Sequence, residues 1–324
     1  MNGAALWAIT CYFNPSGYKR KLFNYRLFRR HLPVPLACVE LSFGGPFDLG
    51  PSDADLLVQI RGEAVLWQKE RLLNVALQHL PGACSAVAWV DCDVIFERSD
   101  WPERAEEALS NYPFIHLFQR RCYLASTAAS TSLDLRQVES EAVSLGYLIE
   151  TGQASPDDVR RSGAPLILGS TAGLAWAARR EAVSRRGLYD ACILGTGDRV
   201  MAAAAVGRFD YGIDALLMNP CQAQHYLSWA RPFFAAVRAR VGHVEGRVYH
   251  LWHGDLLHRR YHERHEGLRR YNFDPFVDIA LDMDECWRWN SNKYALHAYV
   301  RGYFESRNED GTDLPVVPVG HVEA

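Results

Sequence analysis

The sequence predicts an α/β fold: a mixed, mostly parallel sheet flanked by helices, followed by a helical C-terminal extension. Three observations carry this. Apolar runs of strand length alternate with longer stretches of helical periodicity, the pattern of βα units. Several runs, AVAWV at 86–90 above all, are apolar throughout, as a strand covered on both faces is. A chain of 324 residues, 48% of them hydrophobic, can bury one large core without staples. The formal charge of −3 supplies no global field for nucleic acid or anionic membrane, so such a partner needs a local basic patch.

Residues 6–12 (LWAITCY) read as a buried strand that ends at Asn14-Pro15-Ser16-Gly17. A basic helix follows over 19–32, with Leu22, Tyr25, Leu27 and Phe28 at mixed helical spacing and Pro33 as its stop. Residues 35–43 repeat the strand pattern up to Gly44-Gly45-Pro46, and 56–60 form a third strand. Over 64–80, Leu66, Leu72, Leu73, Val75, Ala76, Leu77 and Leu80 fit one helical face closed by Pro81-Gly82. The strand 86–90 then runs directly into Asp91-Cys92-Asp93. A helix over 101–109 and a strand over 114–118 come next. Residues 122–165 turn polar and weakly periodic, and read as a long surface excursion with one helix. The segment 166–176 (LILGSTAGLAW) returns to the core, 179–186 is a basic helical turn, and Gly195-Thr196-Gly197-Asp198 opens a helix over 199–206. Beyond Pro232 the chain is rich in Arg and His, and 287–304 is aromatic.

The eight cysteines are scattered without a C-x-x-C pair, mostly in apolar stretches, and read as buried thiols of a reducing, cytoplasmic compartment. No apolar run reaches the ~18–20 residues of a membrane span, and the N-terminus lacks signal-peptide features. The 9 Trp, 15 Tyr and 12 His exceed what a core needs, and such rings recur where sugars or bases stack.

Asp91-Cys92-Asp93 ends an apolar strand, and ligands of parallel α/β sheets bind at the carboxyl ends of strands. Two carboxylates there can hold a hard divalent cation that a diphosphate also binds. A pair of turn aspartates is the plainer alternative. Asp198 falls in the first turn of a helix, whose positive end favours an ionised carboxylate, or it caps that helix. In Val248-Tyr249-His250-Leu251-Trp252-His253-Gly254 a regular strand would set His250 and His253 on opposite faces, so only one would face a site. Residues 259–270 read as a solvated helix face with Glu263 and Glu266 in register for ion pairs, as a closure over a diphosphate, or as a clamp on a polymeric anion. Trp287 and Trp289 with Tyr294, Tyr299 and Tyr303 read as a packing seam for the last helix or a sugar shelf.

Trp67-Gln68-Lys69-Glu70-Arg71-Leu72-Leu73-Asn74-Val75-Ala76 and Trp89-Val90-Asp91-Cys92-Asp93-Val94-Ile95 resemble the helix and Asp-x-Asp strand of metal-dependent GT-A glycosyltransferases, family 2 and the beta-1,4-galactosyltransferase type. Gly169-Ser170-Thr171-Ala172-Gly173-Leu174-Ala175-Trp176 and Gly195-Thr196-Gly197-Asp198 are similar in order to that family's glycine-rich strand and Gly-Glu-Asp region. His253 before Gly254 stands where the family has a late metal-binding histidine. The ordered set spans roughly residues 5–255, and the chain also looks like bacterial and phage proteins assigned to this fold.

The resemblance implies a GT-A (Rossmann-like) nucleotide-sugar-binding and catalytic domain over 1–258, with 259–324 as a helical extension packed on it. It implies inverting transfer of a hexose from a UDP-sugar to a hydroxyl of a glycan or a modified DNA base. Asp91 would contact the ribose or the metal, Asp93 would ligate the metal, and His253 would complete the protein's ligands around Mn²⁺ or Mg²⁺. Thr10 and Tyr12 at the end of the first strand and Glu40 at the end of the second would bind the nucleoside, with Trp252 beside the donor. Lys69 or Arg71 would lie near the diphosphate, and Asp198 would deprotonate the acceptor. Gly197 departs from the family, which has an acidic residue before the base, and the aromatic residues of its acceptor pocket are not recognisable here. The alternatives are a sugar nucleotidyltransferase, disfavoured by the missing N-terminal triphosphate loop, and a non-catalytic nucleotide-sugar-binding module.

Overall fold

The computed structural model describes residues 5–129, 132–158, 167 and 170–311. Its first half is a run of βα units: β1 (Leu6–Phe13), α1 (Lys19–Arg30), β2 (Leu36–Ser42), β3 (Leu56–Arg61), α2 (Lys69–His79) and β4 (Ala86–Val90). β1 pairs in parallel with β2 and β4, and β2 with β3. Every residue of β2 and β4 is buried, which is why these runs carry no polar alternation. β1 shows what covers the two faces. Ile9, Cys11 and Phe13 join one apolar cluster with Leu72, Val75 and Ala76 of α2, while Leu6, Ala8 and Tyr12 join another with Tyr25 and Phe28 of α1. The helix expected from residue 64 begins at Lys69, because Trp67 N–H donates to Ile193 O (3.0 Å) and the Gln68 side chain exchanges two hydrogen bonds with the Trp287 backbone.

The chain continues through β5 (Val94–Phe96), α3 (Trp101–Asn111), β6 (Phe114–His116), β7 (Arg120–Leu124), β8 (Val138–Ser144), α4 (Leu145–Glu150), β9 (Ser170–Thr171), β10 (Ala175–Arg179) and α5 (Arg180–Ser184). It then forms α6 (Gly197–Ala205), α7 (Phe209–Ala215), α8 (Pro220–Val237), β11 (Val241–His243) and β12 (Arg247–His250). The seven-stranded sheet has the order β11-β6-β10-β4-β1-β2-β3, with β10 antiparallel to both neighbours. The expected mixed, mostly parallel sheet flanked by helices is therefore present.

Two expectations are corrected. The described part of 122–165 is not an irregular excursion: β7 and β8 belong to a second sheet of order β5-β12-β7-β8-β9. Its polarity reflects the exposure of Glu139, Ser140 and Glu141 on β8. The C-terminal extension is not wholly helical either, since a hairpin of β13 (Ile279–Leu281) and β14 (Trp287–Trp289) separates α9 (Glu263–Arg269) from α10 (Tyr294–Glu305). Trp289 stacks on His297 of α10 (4.2 Å, 16°) and Trp287 Nε1 donates to Asp190 O (2.9 Å), so both tryptophans serve packing. All eight cysteines are free; Cys221 is exposed, Cys92 half-buried and the other six buried. No helix among the described residues is long and apolar enough to cross a membrane.

Candidate active site

β4 and β5 belong to different sheets, and Asp91-Cys92-Asp93 is the link between them. Asp91 N–H donates to Leu174 O (2.8 Å), which fixes the end of β4 beside the loop entering β10. β5 pairs antiparallel with β12 in a register that sets His250 opposite Val94, and Leu251 N–H donates to Asp93 O (2.8 Å). The strand stops at His250, so the alternation expected through Gly254 is broken. Gly254 takes φ +89° and turns the chain. Both histidines consequently face one carboxylate, where a regular strand would allow one. His253 Nε2 lies 3.1 Å from Asp93 Oδ2 and 3.2 Å from His250 Nε2, and His250 Nε2 lies 3.7 Å from Asp93 Oδ1. One ligand atom from each residue falls within 4.8 Å of the others.

This cluster forms part of a cavity of about 570 Å³. Thr10, Trp67, Lys69, Asp91, Arg121, Glu141, Asp198, Arg264 and Glu309 are among the residues that complete it. Lys69 Nζ stands 2.5 Å from Asp91 Oδ1 and 2.8 Å from Asp198 Oδ2, tying the end of β4 to the first turn of α6. Asp198 does not cap that helix; Thr196 precedes it in the left-handed region (φ 78°) without a capping bond. Asp198 Oδ1 is buried without a hydrogen-bond partner, so one oxygen is held and the other is available as an acceptor.

Burial pushes the Asp91 carboxyl up to about 6, against the pull of Lys69. Burial also pushes His250 down to about 3, against the attraction of Asp93, so its ring is neutral. For Asp93 burial acts upward, but the imidazoles and Arg259 outweigh it and hold the carboxyl well below its ordinary range. An ionised carboxylate beside a neutral imidazole is the state in which both ligate a cation. Asp93 Oδ1 is buried with no hydrogen-bond partner, so this oxygen is free to ligate a cation. Behind the cluster, Glu309 Oε1 lies 3.6 Å from His253 Nδ1 and is also paired with Arg307.

The structure gathers Thr10, Lys69, Asp91, Asp93, Asp198 and His253 on this cavity and adds His250. It does not bring Tyr12, Glu40, Arg71 or Trp252 to its wall. Tyr12 donates to Asp48 Oδ2 (2.9 Å), and the Glu40 oxygens accept from Asp48 N–H, Leu49 N–H and Gln59 Nε2; both side chains are buried under the loop after β2. Arg71 pairs with Asp190 (3.1 Å) and Glu285 (3.7 Å). Trp252 packs under Arg20, 5.3 Å from the guanidinium carbon to the ring centroid. Asp91 lies outside the Asp93–His250–His253 group, beside Lys69. The basic segment divides: Arg259 and Arg264 line the cavity, whereas His262 and Glu266 form an exposed pair at 3.9 Å. Arg121, Tyr123 and Glu141 from the second sheet, and Arg307 and Glu309 from the C-terminal segment, are lining residues absent from the sequence reading. Only the alternation Arg121-Cys122-Tyr123-Leu124 offered a signal for any of them.

No protein-family model and no curated protein matches the chain. Among solved structures it is similar to residues 1–349 of TarS from S. aureus, at 10% identity over 95% of this chain and 74% of that one, with a TM-score of 0.36. It is also similar to the mannosyltransferase PcManGT from Pyrobaculum calidifontis, in complex with GDP-Man and Mn²⁺, at 13% identity over 93% of this chain and 70% of that one, with a TM-score of 0.41. Superpositions of this quality decide neither family nor activity, and the functional reading rests on the side chains.

Proposed function

We propose that the chain is an inverting glycosyltransferase that moves a hexose from a UDP-sugar to an acceptor hydroxyl, with a divalent cation at Asp93, His250 and His253. The observation that carries this reading is one carboxylate and two imidazoles converging at the carboxyl end of β4, on the same cavity as a second carboxylate, Asp198, with a free buried oxygen. The donor set suits a cation, and two nitrogens with one oxygen favour manganese over magnesium. When bound, such an ion lends positive charge to a departing diphosphate.

This reading takes residues 1–258 as the catalytic domain and 259–324 as an extension that helps close its site. Asp198 accepts the proton of the acceptor hydroxyl as that oxygen attacks the anomeric carbon from the face opposite the leaving group. The bond from that carbon to the diphosphate breaks, and configuration inverts. Lys69 orients Asp198 by holding its other oxygen. Asp91, directly after β4, and Thr10, on the neighbouring strand β1, flank the nucleoside end of the donor in this reading. Two variants test the assignment. Asp93→Ala abolishes Mn²⁺-dependent UDP binding in calorimetry, and Asp198→Asn retains UDP binding but loses transfer. Undiminished transfer by Asp198→Asn removes the base from this reading. A Mn²⁺-dependent thermal-shift screen of UDP-Glc, UDP-Gal, UDP-GalNAc and UDP-GlcNAc identifies the donor.

A further inference from the structure

We propose that the acceptor carries a phosphate group next to its reactive hydroxyl, and that Arg199 and Arg264 hold it. This rests on the glycosyl-transfer reading and names the class of its second substrate. Among the described residues the cavity is lined by seven lysines and arginines against five carboxylates, an excess of two positive charges. A divalent cation adds two, and the diphosphate of a nucleotide sugar removes two. The loaded cavity therefore still holds an excess of two, and a phosphate monoester brings about −1.5 to −2 at neutral pH.

Position assigns that excess. Lys69 is matched by Asp91 and Asp198, and Arg307 by Glu309. Among the described residues, the other five, Lys21, Arg121, Arg199, Arg259 and Arg264, have no carboxylate within ion-pair distance. Lys21 lies 4.5 Å over the Phe13 ring, and two of the arginines flank the cation cluster: Arg259 lies 2.8 Å from His253 Nε2, and Arg121 lies 3.7 Å over Tyr123, whose ring packs 4.7 Å from His250. The other two stand on the side of the base. Arg199 follows Asp198 in α6, and Arg264 of α9 donates to Thr196 Oγ1, two residues before Asp198. Both guanidinium groups approach the Tyr261 ring, Arg199 at 5.9 Å and Arg264 at 5.0 Å.

Arg264 is 5% exposed, and its hydrogen-bond partners are the hydroxyls of Thr196 and Tyr303, the Arg259 carbonyl and His265, all neutral. Burial pushes its pKa down. A desolvated charge with only neutral partners is costly, and an arriving anion relieves that cost. The planar guanidinium fork matches a phosphate.

The test is calorimetric titration of inorganic phosphate into the full chain saturated with Mn²⁺ and UDP. Phosphate is expected to bind with a Kd of about 1 mM or tighter, about tenfold more tightly than acetate, and about tenfold more weakly in Arg199→Gln and Arg264→Gln. The Kd for UDP with Mn²⁺ is expected to stay within about twofold in both variants. If the buried Arg264→Gln does not fold, the half-buried Arg199→Gln decides. Absent phosphate binding, binding undiminished in Arg199→Gln, or a matching loss of UDP affinity overturns the proposal; the last result assigns these arginines to the donor. If the chain binds no UDP at all, the glycosyl-transfer reading fails separately, and phosphate titration of the unloaded protein still reads the arginine pair.

Discussion

Glu70 fills the space that a side chain at position 197 would need. A Cβ there would collide with its Oε1 and Cδ, and that Oε1 is buried without a hydrogen-bond partner. The departure at Gly197 from the acidic residue of the resembled family thus has a steric reason: a carboxylate from α2 already occupies the place. Burial pushes Glu70 up to about 8, with Lys69 opposing and Asp198 adding to the rise. A carboxyl whose folded pKa is raised above its unfolded value of about 4.5 contributes stability that is fully present below that value. That contribution is lost as pH rises through about 8. Glu70→Gln, neutral and nearly isosteric, is therefore expected to gain on the wild type between pH 4.5 and 8, by up to a few kcal/mol at alkaline pH. Denaturant unfolding at pH 5 and pH 8.5 checks this, and an equal difference at both would refute it. Gly197→Ala is expected to cost about 1–3 kcal/mol through overpacking, and less in a Glu70→Ala background, because the two side chains compete for one volume.

Whether an element was legible depends on what its backbone and faces meet. β4 has the expected limits because all five of its residues are buried and the composition records this directly. β8 carries no strand signal in the sequence because three adjacent residues, Glu139, Ser140 and Glu141, are exposed, so neither a period of 2 nor an apolar run survives. The stretch after His250 shows a third case, in which the sequence pattern is that of a strand but a tertiary contact ends it. Gly254 at φ +89° lies against the C-terminal segment, and a Cβ there would stand 2.8 Å from Asn308 O. Gly254→Ala is accordingly expected to destabilise by about 1–3 kcal/mol and to weaken Mn²⁺ binding about tenfold by displacing His253. Electron paramagnetic resonance titration of free Mn²⁺ measures the second effect. Unchanged affinity in a folded Gly254→Ala protein would mean that this turn does not set the imidazole.

At the scale of the whole molecule, Asp91, Asp93 and Asp198 were legible because each sits at the end of an element that announces itself locally. The far wall was not, because it is assembled by contacts hundreds of residues apart. Tyr18 OH donates at the Phe304 and Glu305 carbonyls (3.1 and 2.9 Å), and Asp310 accepts from the Lys19 and Arg20 N–H groups (3.2 and 2.8 Å). Asp310 thereby satisfies donors at the start of α1, where Tyr18 makes no side-chain cap. These bonds fasten the C-terminal segment across the N-terminal helix, so that Arg307 and Glu309 reach the cavity and Glu309 faces His253 Nδ1. A carboxylate behind a ligating imidazole fixes its tautomer and orientation, and losing one typically costs ten- to a hundredfold in metal affinity. A chain ending at Ser306 is expected to bind Mn²⁺ at least about tenfold more weakly and to melt a few degrees lower, as both the carboxylate and the helix-end contacts are removed. Glu309→Gln separates the two effects, since it keeps Asp310 on α1 and should reproduce most of the affinity loss with little change in Tm. Full Mn²⁺ affinity in the shortened chain would show that the segment closes the cavity without acting on the imidazole.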